Sequence, residues 1–522
     1  MRSARAVVST PRLFASGFFL SLVLAACSND KIVYRDREPF NTPPDAAVGF
    51  LGYYDSASKQ TTCGNCHADY QASWVETRHA DAYNTLNTNP GKQAVCFSCH
   101  TVNGKGNVAG SGVGGHDAVK VGAYFDVQCE SCHGPGLAHV EGVGQGTIIR
   151  PLAKLSMAGT GSCGDCHSGT HHPFVDEWKQ SEHANVPTGT HATNATCTGC
   201  HEGRKALEKW GENSNFQEKG EASAYQAITC GVCHDPHGSE NSAQLRYSIS
   251  SADPEQNLCM QCHMRRNNPD AAQTSPHAPQ GAVLLGFAGW RPPGFEYDTA
   301  RIYGSHATDK NPRLCAGCHV TKFTVTDKVT GAFTFQATGH LMRPIPCLDA
   351  SGKPTADKTC AYTVAARSWQ SCTTSGCHAN AGVAAGAFST VRNRMKFLAD
   401  QLWLNSNNDG TLQGSPTDGG LLATLKATRP AEWTGATVLT PAEGAEFNAR
   451  LCGEYNQSNS DNSKGIHNPF LCESLLTATI TYIRSYYNLP AASVSLQAQI
   501  DTPMGMGFIK SMHVTRASTR GN

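Results

Sequence analysis

The chain has 522 residues, with 42 Lys+Arg balanced by 42 Asp+Glu, 22 His, 23 Cys and 51 Gly, and a charged fraction of 16%. That neutrality argues against a nucleic-acid binder, and 39% hydrophobic content with 8% aromatics is thin for the three ordinary domains that the length allows. Twenty-three cysteines are too many for a typical cytosolic enzyme and too few for a small disulfide scaffold, which leaves metal or cofactor attachment.

Residues 1–26 read as a lipoprotein signal peptide. Arg2, Arg5 and Arg12 give a positive start, the apolar run Leu13–Leu24 is too short to span a membrane, and Leu24-Ala25-Ala26 leads into Cys27. Cys27 is the expected acylated residue; the alternative is an ordinary secretory cleavage site ahead of an incidental cysteine. The absence of an adjacent arginine pair favours export by the Sec route. Ser28 stands where an Asp would favour inner-membrane retention, which points to the outer membrane, on its periplasmic or its cell-surface face. Losing the leader removes three arginines and no acid, so the mature chain carries a net −3. Residues 27–62 read as a lipid-anchored linker with a polar tether from Ser28 to about Pro44.

Beyond the linker, Cys-x-x-Cys-His occurs eight times. The copies are Cys63/Cys66/His67, Cys96/Cys99/His100, Cys129/Cys132/His133, Cys163/Cys166/His167, Cys197/Cys200/His201, Cys230/Cys233/His234, Cys259/Cys262/His263 and Cys315/Cys318/His319. The residue frequencies predict roughly 0.04 copies by chance. Residues i, i+3 and i+4 share one side of a helical turn, so two thiols reach the vinyl groups of one haem edge while the histidine takes the iron. Zinc is the competing reading, but it does not ask for a histidine after every second cysteine. A ninth, wider site is Cys372-Thr-Thr-Ser-Gly-Cys377-His378, whose alternative is a disulfide or two thiols beside an incidental histidine. The covalent cofactor expected is therefore haem c, at eight or nine sites.

A duplication organises the first six motifs. The first cysteines at 63, 96 and 129 recur at 163, 197 and 230, and Trp74-x4-His79-Ala80 recurs as Trp178-x4-His183-Ala184. The segments are thus 63–162, a first triplet; 163–250, its copy; 251–380, motifs seven to nine; and 381–522, a motif-free C-terminal cap. Cys347, Cys360, Cys452 and Cys472 remain, and an oxidising compartment with short loop closure suggests the pairs Cys347–Cys360 and Cys452–Cys472.

Nine proximal histidines leave thirteen for nine distal positions. The candidates are His79 and His183, from the repeated Trp-x4-His-Ala context; His139 and His237, after the third motif of each triplet; and His172, His191, His277, His306, His340 and His467. Ten names for nine places means that at least one is wrong. His116, His171 and His513 are better read as surface or hydrogen-bonding residues, and Met260 and Met264 as helix-neighbour packing rather than axial ligands. In the cap, Val391–Leu404 and Leu471–Tyr487 show helical periodicity on either side of a Gly/Asn/Pro-rich stretch, and His467 is a ligand the cap donates. Asn405–Thr411 resembles the start of a calcium loop but offers one carboxylate and no Glu at position twelve, so a plain turn is favoured over calcium.

The Cys-x-x-Cys-His series, Cys129-Glu-Ser-Cys-His-Gly-Pro-Gly, the Trp-x4-His-Ala elements and Gly465-Ile-His-Asn-Pro resemble multihaem c-type cytochromes. Within them the chain is similar to the group related to hydroxylamine oxidoreductase and pentahaem nitrite reductase, and to outer-surface cytochromes of metal-respiring bacteria. The resemblance implies a mainly α fold with extensive irregular loops wrapped around stacked haems and little β structure. It implies electron conduction toward other c-type cytochromes, outer-membrane electron-transfer proteins or metal oxides. The Cys-x-x-Cys-Lys haem of the nitrite reductases is missing, which counts against ammonia-forming nitrite reduction. Three functions stand: an electron relay with bis-histidine haems and no catalytic residue, a reductase or oxidase of a small nitrogen or sulfur species at one five-coordinate haem, and a subunit of a homopolymeric extracellular haem wire.

Overall fold

The computed structural model describes residues 48–504 apart from 108–112, 144, 146–148, 155–160, 213–223, 296–305, 308, 375–376, 404–419, 434–436 and 454–459. Cys27, the leader, the tether, the Asn405–Thr411 turn and His513 lie outside these.

From residue 48 to the ninth motif the described helices are one or two turns long, none exceeding seven residues. Among the described residues strands occur only as three antiparallel pairs: β1 (Tyr53–Asp55) with β2 (Gln60–Thr61), β3 (Phe323–Thr326) with β4 (Phe333–Ala337), and β5 (Cys347–Leu348) with β6 (Pro354–Thr355). Apolar side chains gather in small clusters such as Phe50/Val102/Tyr124 and Tyr53/Trp74/Ala80 rather than in one core. The fold is the expected one, mainly helical and loop-rich with little β.

The repeated Trp-x4-His-Ala element has a local structural cause. The Trp74 indole donates to the Val127 carbonyl at 3.0 Å and the His79 carbonyl accepts from Val127 N at 3.0 Å. In the copy, Trp178 donates to the Ile228 carbonyl at 2.9 Å and the His183 carbonyl accepts from Ile228 N at 3.1 Å. Trp and His thus clamp through both its amide and its carbonyl the residue two positions ahead of the third motif of each triplet. Buried Glu130 holds the chain ahead of the first motif, accepting from the amides of Leu51 and Gly52 at 2.9 and 2.8 Å, and from Gly136 N at 2.7 Å.

All the longer helices belong to the cap: α1 (Ala381–Leu402), α2 (Gly420–Thr428), α3 (Pro441–Cys452), α4 (Pro469–Tyr486) and α5 (Val494–Asp501). Each well-formed start has its cap. Asn380 accepts from Val383 N, Thr440 and Glu443 form a reciprocal capping box with Pro441 at the first position, and Asn468 accepts from Leu471 N. Their apolar faces build the one large core, with Leu398, Leu402, Trp403, Leu422, Phe447, Leu471, Leu476 and Ile480 fully buried.

Sequence periodicity found two of these helices, α1 and α4. It missed α2 and α3 in the stretch read as Gly/Asn/Pro-rich, where Thr440-Pro-Ala-Glu443 was an available start signal. The segment before motif eight docks onto the cap: Asn448, wholly buried, accepts from Trp290 N at 2.8 Å and donates to the Trp290 carbonyl at 2.7 Å. Gly444 leaves room for that indole, since a Cβ there would lie 2.3 Å from the ring. Disulfides join Cys347 to Cys360 and, at the end of α3, Cys452 to Cys472 in α4.

A candidate haem array

Four Cys-x-x-Cys-His motifs close a single turn in which the histidine amide returns to the carbonyl of the first cysteine: His67 to Cys63 at 3.0 Å, His167 to Cys163 at 2.8 Å, His234 to Cys230 at 2.8 Å and His263 to Cys259 at 2.9 Å. Motifs three, five and eight lie within the helices Cys129–His133, Ala195–His201 and Leu314–His319. Motif two differs: Ala94–Cys99 is 3-10 helical, and His100 donates to Phe97 at 3.0 Å. The wider ninth motif closes on the same pair of groups, His378 N to Cys372 O at 3.1 Å.

By motif alone the eighteen haem thiols are equivalent; in the structure they are not. Cys66, Cys163 and Cys377 are exposed, whereas the other fifteen are half-buried. Cys66 ends the three-residue turn that opens motif one, its amide donating to the Cys63 carbonyl at 3.1 Å, and it lies in the run 65–70, which is exposed throughout and includes His67. The second thiol and the histidine of the first motif stand at an open edge because Ala68–Trp74 leads the chain along the surface there. Exposure does not take Cys66 out of the donor set, since a thioether requires reach to the vinyl group and not burial of the sulfur.

Seven motif histidines face a second histidine at nearly constant separation. Ring centroids are 6.4 Å apart for His67 and His139, 6.2 Å for His167 and His79, and 6.3 Å for His133 and His237. They are 6.2 Å apart for His201 and His277, 6.3 Å for His234 and His340, 6.1 Å for His263 and His183, and 6.1 Å for His319 and His467. Two imidazoles bound on opposite sides of one metal through bonds of about 2 Å have centroids about 6.2 Å apart. For the other two motifs, His172 interacts electrostatically with His100, and His306 with His378.

Protonation agrees with metal binding. Burial, reinforced by neighbouring histidines, pushes His167, His183, His306, His319 and His340 down to about 4, so these rings are neutral near pH 7 and carry the free lone pair that a metal requires. Two thiols outside any disulfide accompany each proximal histidine. Two thiols, one imidazole on their own turn and a second imidazole about 6 Å away form the donor set that haem c takes. When bound, haem supplies reversible one-electron chemistry at its iron.

Comparison with known proteins agrees. Residues 62–134 match the family model for cytochrome c554 and c-prime, and residues 223–268 match the doubled CXXCH motif. The chain is 28% identical over 197 residues to the multiheme cytochrome MtrA of Shewanella baltica, which is 35% of this chain and 55% of that protein. It is 24% identical over 232 residues to the C-type polyheme cytochrome OmcB of Geobacter sulfurreducens, 39% of this chain and 30% of that one. The chain is similar to multihaem c-type cytochromes. It spans about half the length of the first of these relatives and under a third of the second. No solved structure matches it.

The paired groups recur with a period of three motifs. First-cysteine thiols meet between motifs one and three (Cys63–Cys129), four and six (Cys163–Cys230), and seven and eight (Cys259–Cys315). Second-cysteine thiols meet between motifs two and four (Cys99–Cys166) and five and seven (Cys200–Cys262). Cys132 interacts with Cys163, Cys233 with Cys259, and Cys318 with Cys372 and Cys377. The histidines keep step: His79, His183 and His306 pair forward with the opening motif of the next repeat, while His237, His340 and His467 pair back with the closing motif of the repeat before.

The internal copy therefore extends to a third repeat, made of motifs seven and eight, that has no middle motif. The interval from opening to closing cysteine is 66 residues in the first repeat, 67 in the second and 56 in the third. In place of a middle motif, the third repeat has the buried turn Gln280–Leu285, part of which packs into the core formed with the cap.

His191 stacks on His201 at 4.4 Å and 18°, too close for an iron to lie between the rings. His171 stacks on Phe333 at 4.8 Å, and His116 is buried against Phe97. Met260 packs with Leu284, Leu285 and Leu314, and Met264 beside them. Backbone carbonyls accept from, or face, Nδ1 of His100 (Ala82, 2.7 Å), His133 (Pro151, 2.7 Å), His234 (Ala243, 2.7 Å) and His319 (Met342, 3.0 Å). These oriented carbonyls, and Asp461 beside His467, were not legible in the sequence because no local spacing marks them.

Proposed function

We propose that this cytochrome is a lipid-anchored, nine-haem electron relay of the cell envelope that delivers electrons to an outer acceptor, a metal oxide or another cytochrome. The observation that carries the reading is the set of seven histidine pairs at 6.1–6.4 Å, the spacing of two imidazoles across one iron. The nine irons are held by His67 with His139, His100 with His172, His133 with His237, His167 with His79, His201 with His277, His234 with His340, His263 with His183, His319 with His467, and His378 with His306. That uses nine of the ten distal candidates and sets aside His191. An iron with both axial positions filled has no vacancy for substrate, which favours relay over catalysis.

The thiol contacts support a continuous path through motifs one, three, four, six, seven, eight and nine, with motifs two and five as side branches. Cys27 supplies the lipid, and the Sec leader with Ser28 directs the protein to the outer membrane. Electron paramagnetic resonance of the oxidised protein, with a haem count by intact mass, tests the reading. Nine haems with only low-spin signals are expected. A high-spin signal that shifts on adding nitrite, hydroxylamine or sulfite would overturn it in favour of an enzyme.

A further inference from the structure

His467 differs from the other paired histidines in what it leans on. Its Nδ1 lies 2.6 Å from Oδ1 of Asp461, whose side chain is completely buried. Elsewhere among the described residues the partner is a backbone carbonyl, as for His100, His133, His234, His319 and His306, a hydroxyl, as for His340 and Thr338 at 3.2 Å, or a neutral side-chain amide, as for His263 and Gln280. The nearest parallel is weak: Asp235 is 3.5 Å from His237, a partly exposed ring, and Asp235 is shared with Arg246 at 3.1 Å. Among the described residues no lysine or arginine pairs with the Asp461 carboxylate; its partners are the Ser463 hydroxyl and His467.

The loop is built to hold this pair. Ser463 Oγ accepts from the His467 amide at 3.1 Å, Gln280 Nε2 donates to the Ser460 carbonyl at 3.2 Å, and Gly465, at φ +83°, passes so close to α1 that a Cβ would lie 2.4 Å from Met395 Cγ. The same loop orients the distal histidine of the last motif, because the Ile466 carbonyl lies 2.6 Å from His306 Nδ1. A carboxylate that takes the Nδ1–H of a metal-bound imidazole makes the opposite nitrogen a stronger donor, and a buried negative charge favours the ferric over the ferrous iron. Both effects have the same sign.

We propose that Asp461 is a positioning residue that sets the eighth haem, through His467, at a lower potential than the neighbours whose histidines bond to backbone carbonyls. The inference rests on the axial pairing of His319 with His467. It places an energetic step one haem before the end of the path, beneath the cap, so that electrons passing between the seventh and ninth haems cross a reducing site.

The test is spectroelectrochemistry and electron paramagnetic resonance on the holoprotein carrying Asp461→Asn, a nearly isosteric change. The expected result is nine haems, all low-spin, with one shifted positive so that its ferrous-to-ferric ratio at fixed potential rises about tenfold, or about 59 mV for one electron. Asp461→Glu should restore part of the low potential. Unchanged potentials and unchanged g values in Asp461→Asn would overturn the proposal. So would loss of that haem's low-spin signal, which would mean that Asp461 serves only to keep the ligand in place. His467→Gly separates the two readings: a new high-spin signal upholds the axial pairing, and an unchanged spectrum means the pairing itself has failed.

Discussion

At the scale of single residues, the decisive contrast is between His79 and His191. Both are histidines close in sequence to haem motifs, yet His79 stands 6.2 Å from His167 across the space of an iron, whereas His191 stacks at 4.4 Å on His201. His79→Ala should convert one haem of nine to high-spin, and His191→Ala none; electron paramagnetic resonance of the two variants checks this. Glu130 offers a second prediction. Burial pushes its carboxyl up to about 7, against the pull of the Gly52, Leu51 and Gly136 amides. A carboxyl raised above its ordinary value of about 4.3 gives stability that is complete below that value and lost as pH rises through about 7. The stability difference between the native protein and Glu130→Gln should therefore fall across that window and stay flat above it, as measured by denaturant unfolding at a series of pH values. The amide cannot accept from all three donors, so the variant should also be weaker by about 1–3 kcal/mol at neutral pH.

At the scale of elements, the haem region and the cap are stabilised by different means. The cap is a conventional helical assembly in which α3 and α4 are joined by Cys452–Cys472, closing a loop of 20 residues. Replacing both cysteines by serine should cost about 3 kcal/mol and lower the midpoint of the far-ultraviolet transition while leaving the haem count unchanged. The short helices of the haem region have no such core to rest on. The periodicity of Val391–Leu404 and Leu471–Tyr487 was legible because those faces meet one continuous apolar interior. The one-turn helices were legible only through their cysteines, and α2 and α3 were hidden because Gly and Pro, read as loop markers, here stand at helix starts. The Trp-x4-His-Ala element was legible as a repeat, but its clamp on Val127 and Ile228 was not, since the clamped residues lie about fifty positions away.

At the scale of the whole molecule, the described residues between 48 and 380 gather their apolar side chains mainly in small clusters, with Ala282, Val283 and Ala288 joining the core of the cap. On the proposed reading the haems complete the interior, so protein made without haem maturation should show no cooperative unfolding transition and no native near-ultraviolet spectrum; calorimetry and circular dichroism check this. On the proposed reading, a chain without residues 1–26 carries a net −3, and nine ferric haems, each adding about −1 through its propionates, bring the holoprotein to about −12. Its association with a basic cytochrome partner should slow steeply between low and high salt, as read by stopped-flow mixing, and rates independent of salt would contradict it.

The sequence by itself marked the candidate covalent sites, because two thiols and an imidazole able to serve one haem lie close together along the chain. It also exposed the first internal copy, whose spacing survives as text. Which histidine stands across from which, which motif thiols face solvent, as Cys66 does, the third repeat without a middle motif, and the carboxylate behind His467 were decided only by tertiary structure. The paired histidines lie up to about 150 residues apart, and no local rule connects groups that come together only when one repeat packs on the next.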